Sequence, residues 1–194
     1  MRHPLEEKYC LDGYALLEAL ARRFRARVAL EGAVAEVQME RRIKALGNEL
    51  VTAYSVHDRD GYPDFSIEVR GVARPLLAEC KNVRDSDEAY RESGSVVAYK
   101  VETQKTRAAR GDPTSRYYGV DQFDLLGVCL GKKTGRWTDF AFIRTRDLGV
   151  HPYVPGKLAV MQRVPLLDAR DPKPWSFDLR EILLLLEAEA KGEE

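Results

Sequence analysis

The spacing of apolar residues predicts two helices at the start of the chain. Asp12 can cap the first, which we expect to extend to about Arg25, and its apolar face is predicted to contain Leu16, Leu17, Leu20 and Phe24. A second helix is predicted over residues 31–46, ending at Gly47-Asn48, with a buried stripe of Ala33, Val34, Val37 and Leu46.

The apolar pattern then changes to the alternation that is typical of strands. Strands are predicted over residues 50–56, 65–69 and 76–83, and the turn cluster that ends in Asp60-Gly61 joins the first two. Because the connections are short, we expect an antiparallel meander. Residues 84–93 are polar and are predicted to form a loop.

The second half of the chain predicts a crossover and further strands. Residues 95–109 indicate a helix, although the alternation of Val97, Tyr99 and Val101 also permits a strand. The apolar run 123–130 is typical of a strand buried on both faces, and a strand that follows a crossover helix pairs in parallel. Residues 137–143 and 158–164 are further strand candidates, and Ser176 is predicted to cap a last helix containing Phe177, Leu179, Ile182, Leu183 and Leu186.

Together these elements predict an α/β fold with a mixed central β-sheet and helices on both sides. The 194 residues are expected to form a single domain over residues 1–194, with its core at about 31–130. With 44% hydrophobic and 32% charged residues, the chain has the composition of a globular protein. No apolar run is long enough for a membrane span and no signal segment opens the chain, so we expect a cytoplasmic protein.

The charge and cysteine content of the chain limit the functions and cofactors that it can have. The 31 basic and 31 acidic residues cancel, so any contact with nucleic acid needs a local basic surface. Three widely spaced cysteines indicate reduced thiols and exclude a zinc ribbon or a disulfide framework. The sequence contains no phosphate-binding loop of the GxxxxGK[ST] type, so no nucleotide cofactor is expected.

Two charged residues interrupt the apolar third predicted strand. Glu79 and Lys81 lie two residues apart, so they point to the same face, while Cys80 points to the other. Asp64 begins the neighbouring strand, so its carboxylate can converge with that of Glu79. Unpaired buried charges are costly, which leaves two interpretations: an edge strand with one solvated face, or a site in which the charges serve each other and a metal.

Phosphodiester cleavage requires the groups found here. Two carboxylates offer the hard oxygen ligands that Mg²⁺ prefers, and the backbone carbonyl of Cys80 is a possible third ligand. A metal there would neutralise the phosphate and acidify a bound water, while Lys81 could position that water or stabilise developing charge.

The pattern Pro63-Asp64, a gap over residues 65–78, and Glu79-Cys80-Lys81 resembles the signature of the PD-(D/E)xK, or restriction endonuclease-like, nuclease superfamily. The order of predicted elements over about residues 33–130 also resembles that of the family core. The resemblance implies Mg²⁺-dependent nucleic-acid hydrolysis, in which Mn²⁺ can substitute. Asp64 and Glu79 would then be metal ligands and Lys81 the catalytic lysine, as in type II restriction endonuclease-like proteins.

The same resemblance implies further residues. Many members carry a glutamate on the helix before the meander, for which Glu36 is our choice and Glu31 and Glu40 are competitors. Members often place a glutamine or lysine on the helix after the Glu-x-Lys strand, and basic and aromatic residues suit phosphate contact and base stacking. The implied DNA-binding residues are Gln104, Lys105, Arg107, Arg110 and Arg116, next to Tyr117 and Tyr118.

The expected function is therefore a Mg²⁺-dependent DNA endonuclease, with a homodimer supplying two sites for double-strand cutting. The apolar face of the last helix is a candidate dimer interface, but core packing is an equal alternative. Two other functions remain open. One is a repair or recombination nuclease, such as a junction resolvase, or an enzyme that acts on RNA. The other is a catalytically silent nucleic-acid-binding protein on the same fold.

Overall fold

The computed structural model of the protein describes residues 2–59, 61–85, 87–105 and 111–192. The backbone divides into two compact units, Met1–Val34 and Ala35–Glu194. This division by itself does not test whether the whole chain folds as one domain, so the single-domain interpretation stays a prediction.

Three helices occupy the beginning of the chain: α1 (Pro4–Tyr9), α2 (Gly13–Ala21) and α3 (Phe24–Ala45). Asp12 caps α2 as predicted, because its carboxylate accepts a hydrogen bond of 2.7 Å from the backbone N–H of Ala15. The short helix α1 was not predicted, α2 is shorter than the predicted helix that ends near Arg25, and α3 begins seven residues before the predicted start at residue 31.

The buried face of α3 differs from the prediction. Its buried residues are Ala35, Met39 and Ile43, four residues apart, whereas Val37, which we expected in the buried stripe, is exposed. The long helix is therefore rotated relative to the predicted stripe.

Five strands form the central sheet: β1 (Val51–Val56), β2 (Phe65–Val69), β3 (Leu76–Asn82), β6 (Leu125–Cys129) and β7 (Phe140–Arg144). Their order in the sheet is β1-β2-β3-β6-β7. Strands β1, β2 and β3 form the predicted antiparallel meander, and β3 pairs in parallel with β6. The predicted α/β fold with a mixed central sheet is confirmed.

Strands β4 (Ala89–Glu92), β5 (Ser95–Glu102) and β8 (Met161–Val164) form a second, antiparallel sheet in the order β4-β5-β8. The predicted helix over residues 95–109 is therefore wrong for its first eight residues, where the alternative strand interpretation holds. The expected loop over residues 84–93 contains β4. The parallel pairing of β3 and β6 was predicted correctly, but the described part of their connection contains strands and a 3₁₀ turn at Pro113–Arg116 instead of a crossover helix.

Each face of the central sheet has its own apolar layer. One layer joins the buried residues of α3 and of the last helix, α5 (Leu179–Gly192), to side chains such as Phe65, Cys80 and Phe142. The other joins Val101 and Val164 of the small sheet to Leu126 and Val128. Helices flank the central sheet, but the expectation of helices on both sides is wrong, because α3 and α5 both pack on one face and the small sheet covers the other.

The apolar face of α5 packs into the core. Leu179, Ile182, Leu183 and Leu186 are buried as predicted. Asp178, rather than Ser176, caps the helix, since its carboxylate accepts a 2.9 Å hydrogen bond from the N–H of Arg180. A short four-residue helix, α4 (Gly131–Thr134), follows β6. Within the described residues, no helix combines the length and apolar character that a membrane crossing requires.

Candidate active site

The register of β2 and β3 brings Asp64 next to Glu79. Phe65 pairs with Ala78, so Asp64, one residue earlier, lies across from Glu79 at the end of the ladder. The Asp64 carboxylate accepts a 2.7 Å hydrogen bond from the backbone N–H of Cys80. On the other side, the backbone N–H of His57 donates to the Asp64 carbonyl at 2.8 Å. Asp64 is therefore held by both neighbouring strands.

Glu79 is a buried carboxylate in the middle of the sheet. Only 3% of the residue is exposed, because β3 is a central strand and the face that Glu79 shares with its pair Leu126 is covered by an apolar layer. The Lys81 ammonium donates to Oε1 of Glu79 at 2.5 Å, and the hydroxyl of Tyr118 donates to the same oxygen. Oε2 makes no hydrogen bond within the described part of the chain, so it can face a cation.

The ring of Tyr118 completes this cluster. The Lys81 ammonium lies 5.4 Å from the ring centroid, within the range of a cation–π interaction. Tyr118 is itself buried, and its backbone carbonyl accepts a 2.9 Å bond from the N–H of Leu158. One side chain therefore contacts both charged groups of β3 and shields them from bulk water.

A third carboxylate, that of Glu36 on α3, reaches the same region. Burial raises the pKa of Glu36, Lys81 lowers it, and the charges of Glu79 and Asp58 raise it. Burial also raises the pKa of Asp64 to about 7, and the charges of Glu79 and Glu36 add to this rise against the hydrogen bond from Cys80. The carboxylates are therefore close enough to repel one another.

Lys81 is held as a cation. Burial disfavours the ammonium form, but the charge of Glu79 and the nearby Tyr118 outweigh it and raise the pKa of Lys81 well above its ordinary value. Burial, followed by the charge of Glu79, raises the pKa of the Tyr118 hydroxyl. Both groups are thus proton donors at neutral pH, and neither is a base.

Asp64, Glu79 and the carbonyl of Cys80 suit Mg²⁺ as a partial set of ligands. Among the described residues, no three His, Cys, Asp or Glu side chains form a ready metal-binding group. Mg²⁺ does not require one, because it commonly uses one or two carboxylates and completes its octahedron with waters and substrate phosphates. Asp64, Glu79 and the Cys80 carbonyl offer only oxygen atoms, and the surplus of carboxylates over lysine favours a divalent cation.

The competing glutamates differ from Glu36. Glu40 accepts hydrogen bonds from Tyr54 at 2.9 Å and from Lys44 at 2.8 Å, and these contacts lower its pKa. Glu40 lies one turn from Glu36 on the same face of α3, but its carboxylate is engaged by Lys44 and Tyr54. Glu31 belongs to the other compact unit.

Of the predicted DNA-binding residues that the structure describes, Gln104 and Lys105 lie outside helices, and Arg116 ends the 3₁₀ turn Pro113–Arg116. Gln104 pairs with Tyr117 through a β-bridge, and its side chain donates to Glu102. The backbone N–H of Lys105 donates to the Arg116 carbonyl at 2.8 Å, and Nε of Arg116 donates back to the Lys105 carbonyl at 3.1 Å. Lys105 and Arg116 are thus neighbours, whereas Arg107 and Arg110 lie outside the described residues.

Tyr118 is the site residue that sequence reasoning placed wrongly. We expected it to stack on bases, but it is buried against Glu79 and Lys81, while Tyr117 stacks on His151 with ring centroids 4.7 Å apart. The pattern gave no signal for this contact, since Tyr118 and Glu79 are 39 residues apart.

A solved structure with a similar fold is that of a bacterial homing endonuclease, I-Ssp6803I. The two chains are 21% identical with a TM-score of 0.52, over 86% of this chain and 97% of the other. At this identity the structural similarity shows a shared fold alone. No protein-family model and no curated protein matches the sequence.

Proposed function

We propose that this protein is a metal-dependent DNA endonuclease of the PD-(D/E)xK type, with Asp64, Glu79 and Lys81 as its catalytic residues. The observation that carries the proposal is the convergence of the Asp64 and Glu79 carboxylates with the Lys81 ammonium at the paired ends of β2 and β3, with Glu36 of α3 near enough to interact with the charges of Glu79 and Lys81. The pKa values of Glu36 and Asp64 are raised by burial and by like charges, and perturbations of this kind are typical of functional sites. The similarity in fold to a homing endonuclease supports the same conclusion.

A bound Mg²⁺ or Mn²⁺ would neutralise the scissile phosphate and lower the pKa of a water molecule. Asp64 and Glu79, with the carbonyl of Cys80, are the proposed ligands. The ligand role of Glu79 depends on its orientation, which Tyr118 and Lys81 hold through Oε1. Cys80 contributes its backbone alone, because its side chain lies in the core on the opposite face.

The protein residues then act on the water and the phosphate. Water attacks phosphorus in line with the P–O bond that breaks, and negative charge grows on the phosphate oxygens. The sugar oxygen leaves with the bonding electron pair and takes a proton from solvent water. The Lys81 ammonium, held protonated by Glu79, stabilises this charge or positions the water by donating a hydrogen bond. Glu36 has the raised pKa of a proton acceptor, so we assign it the proton that the attacking water releases.

DNA is the proposed substrate, and Lys105 and Arg116 are its proposed phosphate contacts near the site. Lys105 and Arg116 are hydrogen-bonded to each other, and the chain continues from Arg116 to Tyr118 of the active site. A phosphate bound by these two residues would therefore lie near the proposed catalytic groups. We propose Gln104, Arg107 and Arg110 as further contacts with the same DNA strand.

The test is a cleavage assay with plasmid, linear, single-stranded and branched DNA in Mg²⁺ or Mn²⁺. We expect metal-dependent cleavage that EDTA abolishes and that Asp64→Ala, Glu79→Ala and Lys81→Ala each reduce by at least about 10³-fold. Glu40→Ala is the matched control, since Glu40 lies on the helix of Glu36 but pairs with Lys44 and Tyr54.

Each alternative function has its own outcome in this assay. A strong preference for branched DNA would indicate a junction resolvase, and cleavage of RNA alone would exclude a deoxyribonuclease. Binding of DNA without cleavage under any metal would indicate a silent binding protein. Substantial cleavage that persists in all three site variants would refute the proposed site.

A further inference from the structure

The first unit of the chain exposes its apolar side chains. We call its described part, residues 2–34, the arm; it consists of α1, α2 and the beginning of α3. No residue of the arm is buried: α1 and α2 contain none, and the buried residues of α3 begin at Ala35. The arm therefore has no core of its own.

Half of the large apolar residues that are exposed in the described chain belong to the arm. They are Leu5, Tyr9, Leu11, Tyr14, Leu17, Phe24, Val28 and Leu30. Single exposed apolar residues are ordinary on protein surfaces, but a concentration in one short segment indicates an interaction surface.

The largest of these side chains lie on defined helix faces. Tyr14 and Leu17, three residues apart on α2, are 76% and 61% exposed. Phe24 and Val28, four residues apart on α3, are 66% and 44% exposed. Residues at these spacings are neighbours on a helix surface, so each helix presents an apolar stripe. Such stripes require a partner helix to bury them.

The charges of the arm are separated along its sequence. Its first half, residues 2–18, contains four acidic residues, Glu6, Glu7, Asp12 and Glu18, and two basic residues, Arg2 and Lys8. Its second half contains Arg22, Arg23, Arg25 and Arg27 and no acidic residue before Glu31. When two such arms run antiparallel, the acidic half of each meets the basic half of the other.

We propose that the arm is the surface through which two copies of this chain associate, antiparallel and around a two-fold axis. A two-fold interface uses the same patch on both subunits, and a segment with exposed apolar side chains and opposite net charge in its two halves can pair with its own copy in this way. The arm is nearly neutral as a whole, and this fits a second copy better than it fits nucleic acid. The inference does not rest on nuclease activity, although a dimer would provide two sites for double-strand cleavage.

Sedimentation of the purified full chain, without DNA, tests this arrangement. We expect a species of about twice the 22.0 kDa of one chain at micromolar concentration. The double variant Leu17→Glu, Phe24→Glu should raise the dimer dissociation constant by at least about 30-fold, the effect of losing one hot-spot side chain. Val150→Glu with Tyr153→Glu, which changes exposed apolar residues outside the arm, should leave it unaltered.

A charge exchange tests the antiparallel pairing and does not depend on one variant folding well. The copy with Glu7→Lys and Glu18→Lys has an arm with excess positive charge, and the copy with Arg23→Glu and Arg25→Glu has the opposite. Each alone should be monomeric, whereas their mixture should restore a dimer containing one copy of each. Circular dichroism of each variant checks that its helices are retained.

Other outcomes would overturn the proposal. A monomeric wild-type chain, a dimer that the arm variants leave intact, or a mixture that stays monomeric would each exclude this interface. A monomer whose arm variants lose DNA affinity would assign the arm to nucleic acid instead. A dimer that cleaves no DNA would sustain this inference and contradict only the proposed function.

Discussion

Replacing Asp64 by asparagine should stabilise the metal-free protein, although it removes a proposed catalytic group. The folded protein raises the pKa of Asp64 from 3.8 to about 7, chiefly because the carboxylate is buried and secondly because it faces Glu79. An unfolded chain gives up this proton near the ordinary pKa. Folding with Asp64 ionised therefore carries a free-energy cost that asparagine does not have.

The size and pH dependence of this cost follow from the two pKa values. A rise from 3.8 to about 7, at roughly 1.4 kcal/mol per pKa unit, corresponds to about 4 kcal/mol at most. We expect about half of this, since one side of Asp64 keeps access to water. The cost is absent below the unfolded pKa, grows as pH rises between the two values, and is complete above the folded pKa of about 7.

Urea unfolding followed by tryptophan fluorescence measures this effect. Trp137 and Trp175 both belong to the unit that contains the site, so they report its unfolding. At about pH 8 without metal, Asp64→Asn should raise the free energy of unfolding by about 2 kcal/mol, or roughly 4–8 °C in Tm. At about pH 4 the gain should nearly vanish. The asparagine oxygen can still accept the hydrogen bond from Cys80.

Bound Mg²⁺ should stabilise the wild type more than it stabilises the Asp64→Asn variant. At a Mg²⁺ concentration about a hundred times the Kd, the wild type should gain about 2.7 kcal/mol, whereas Asp64→Asn should gain far less. Glu68→Gln, an exposed change on the same strand, is the control and should change stability by less than about 0.5 kcal/mol. A destabilised Asp64→Asn protein, or an equal gain at acid and alkaline pH, would refute the electrostatic argument.

Three further predictions concern residues around this carboxylate. Tyr118→Phe should keep the ring beneath Lys81 but lose the hydrogen bond to Glu79; we expect kcat to fall by about 10-fold or more with little change in KM, in line with roughly 1.5–3 kcal/mol for a hydrogen bond to a charged group. Glu36→Gln should reduce cleavage by at least about 10²-fold, the usual size of general-base effects, while Glu40→Gln should not; equal effects would reject the choice of Glu36. Removing Lys105 should weaken DNA binding for every sequence and lower the salt dependence of binding by about one phosphate contact, and an unchanged salt dependence would exclude such a contact.

The meander and the buried strand β6 could be predicted because their signals are local. Alternation over Phe65–Val69 defines one strand, and a run of apolar residues defines Leu125–Cys129. The segment of β5 permitted both a helix and a strand, because its partner β4 was predicted as loop, its partner β8 lies about sixty residues later, and short alternating segments are ambiguous without a known neighbour.

The face that α3 buries depends on one glycine in the sheet. A Cβ atom at Gly127 would lie 2.9 Å from Sδ of Met39, so the flexible methionine fills the space that the absent side chain leaves. Ala35 and Ile43, one turn away on either side, pack on the same layer. An isolated glycine inside a buried strand does indicate such a close approach, but helix periodicity alone cannot assign the helix that makes it.

Glu79 and Lys81 had two interpretations, a solvated edge strand or a metal site. The neighbours of these residues in the fold, which the sequence of their own strand does not show, distinguish the two. An edge strand with a solvated face is excluded, because β3 lies between two neighbours and Glu79 is 3% exposed. A structural ion pair would also explain a buried glutamate and lysine, provided that the charges balance. Here they do not: Lys81 offsets one carboxylate, while Asp64 and Glu36 remain with raised pKa values. A fold that keeps this imbalance carries a cost that a cation would remove, and for this reason we propose that the cluster serves metal-dependent chemistry rather than stability.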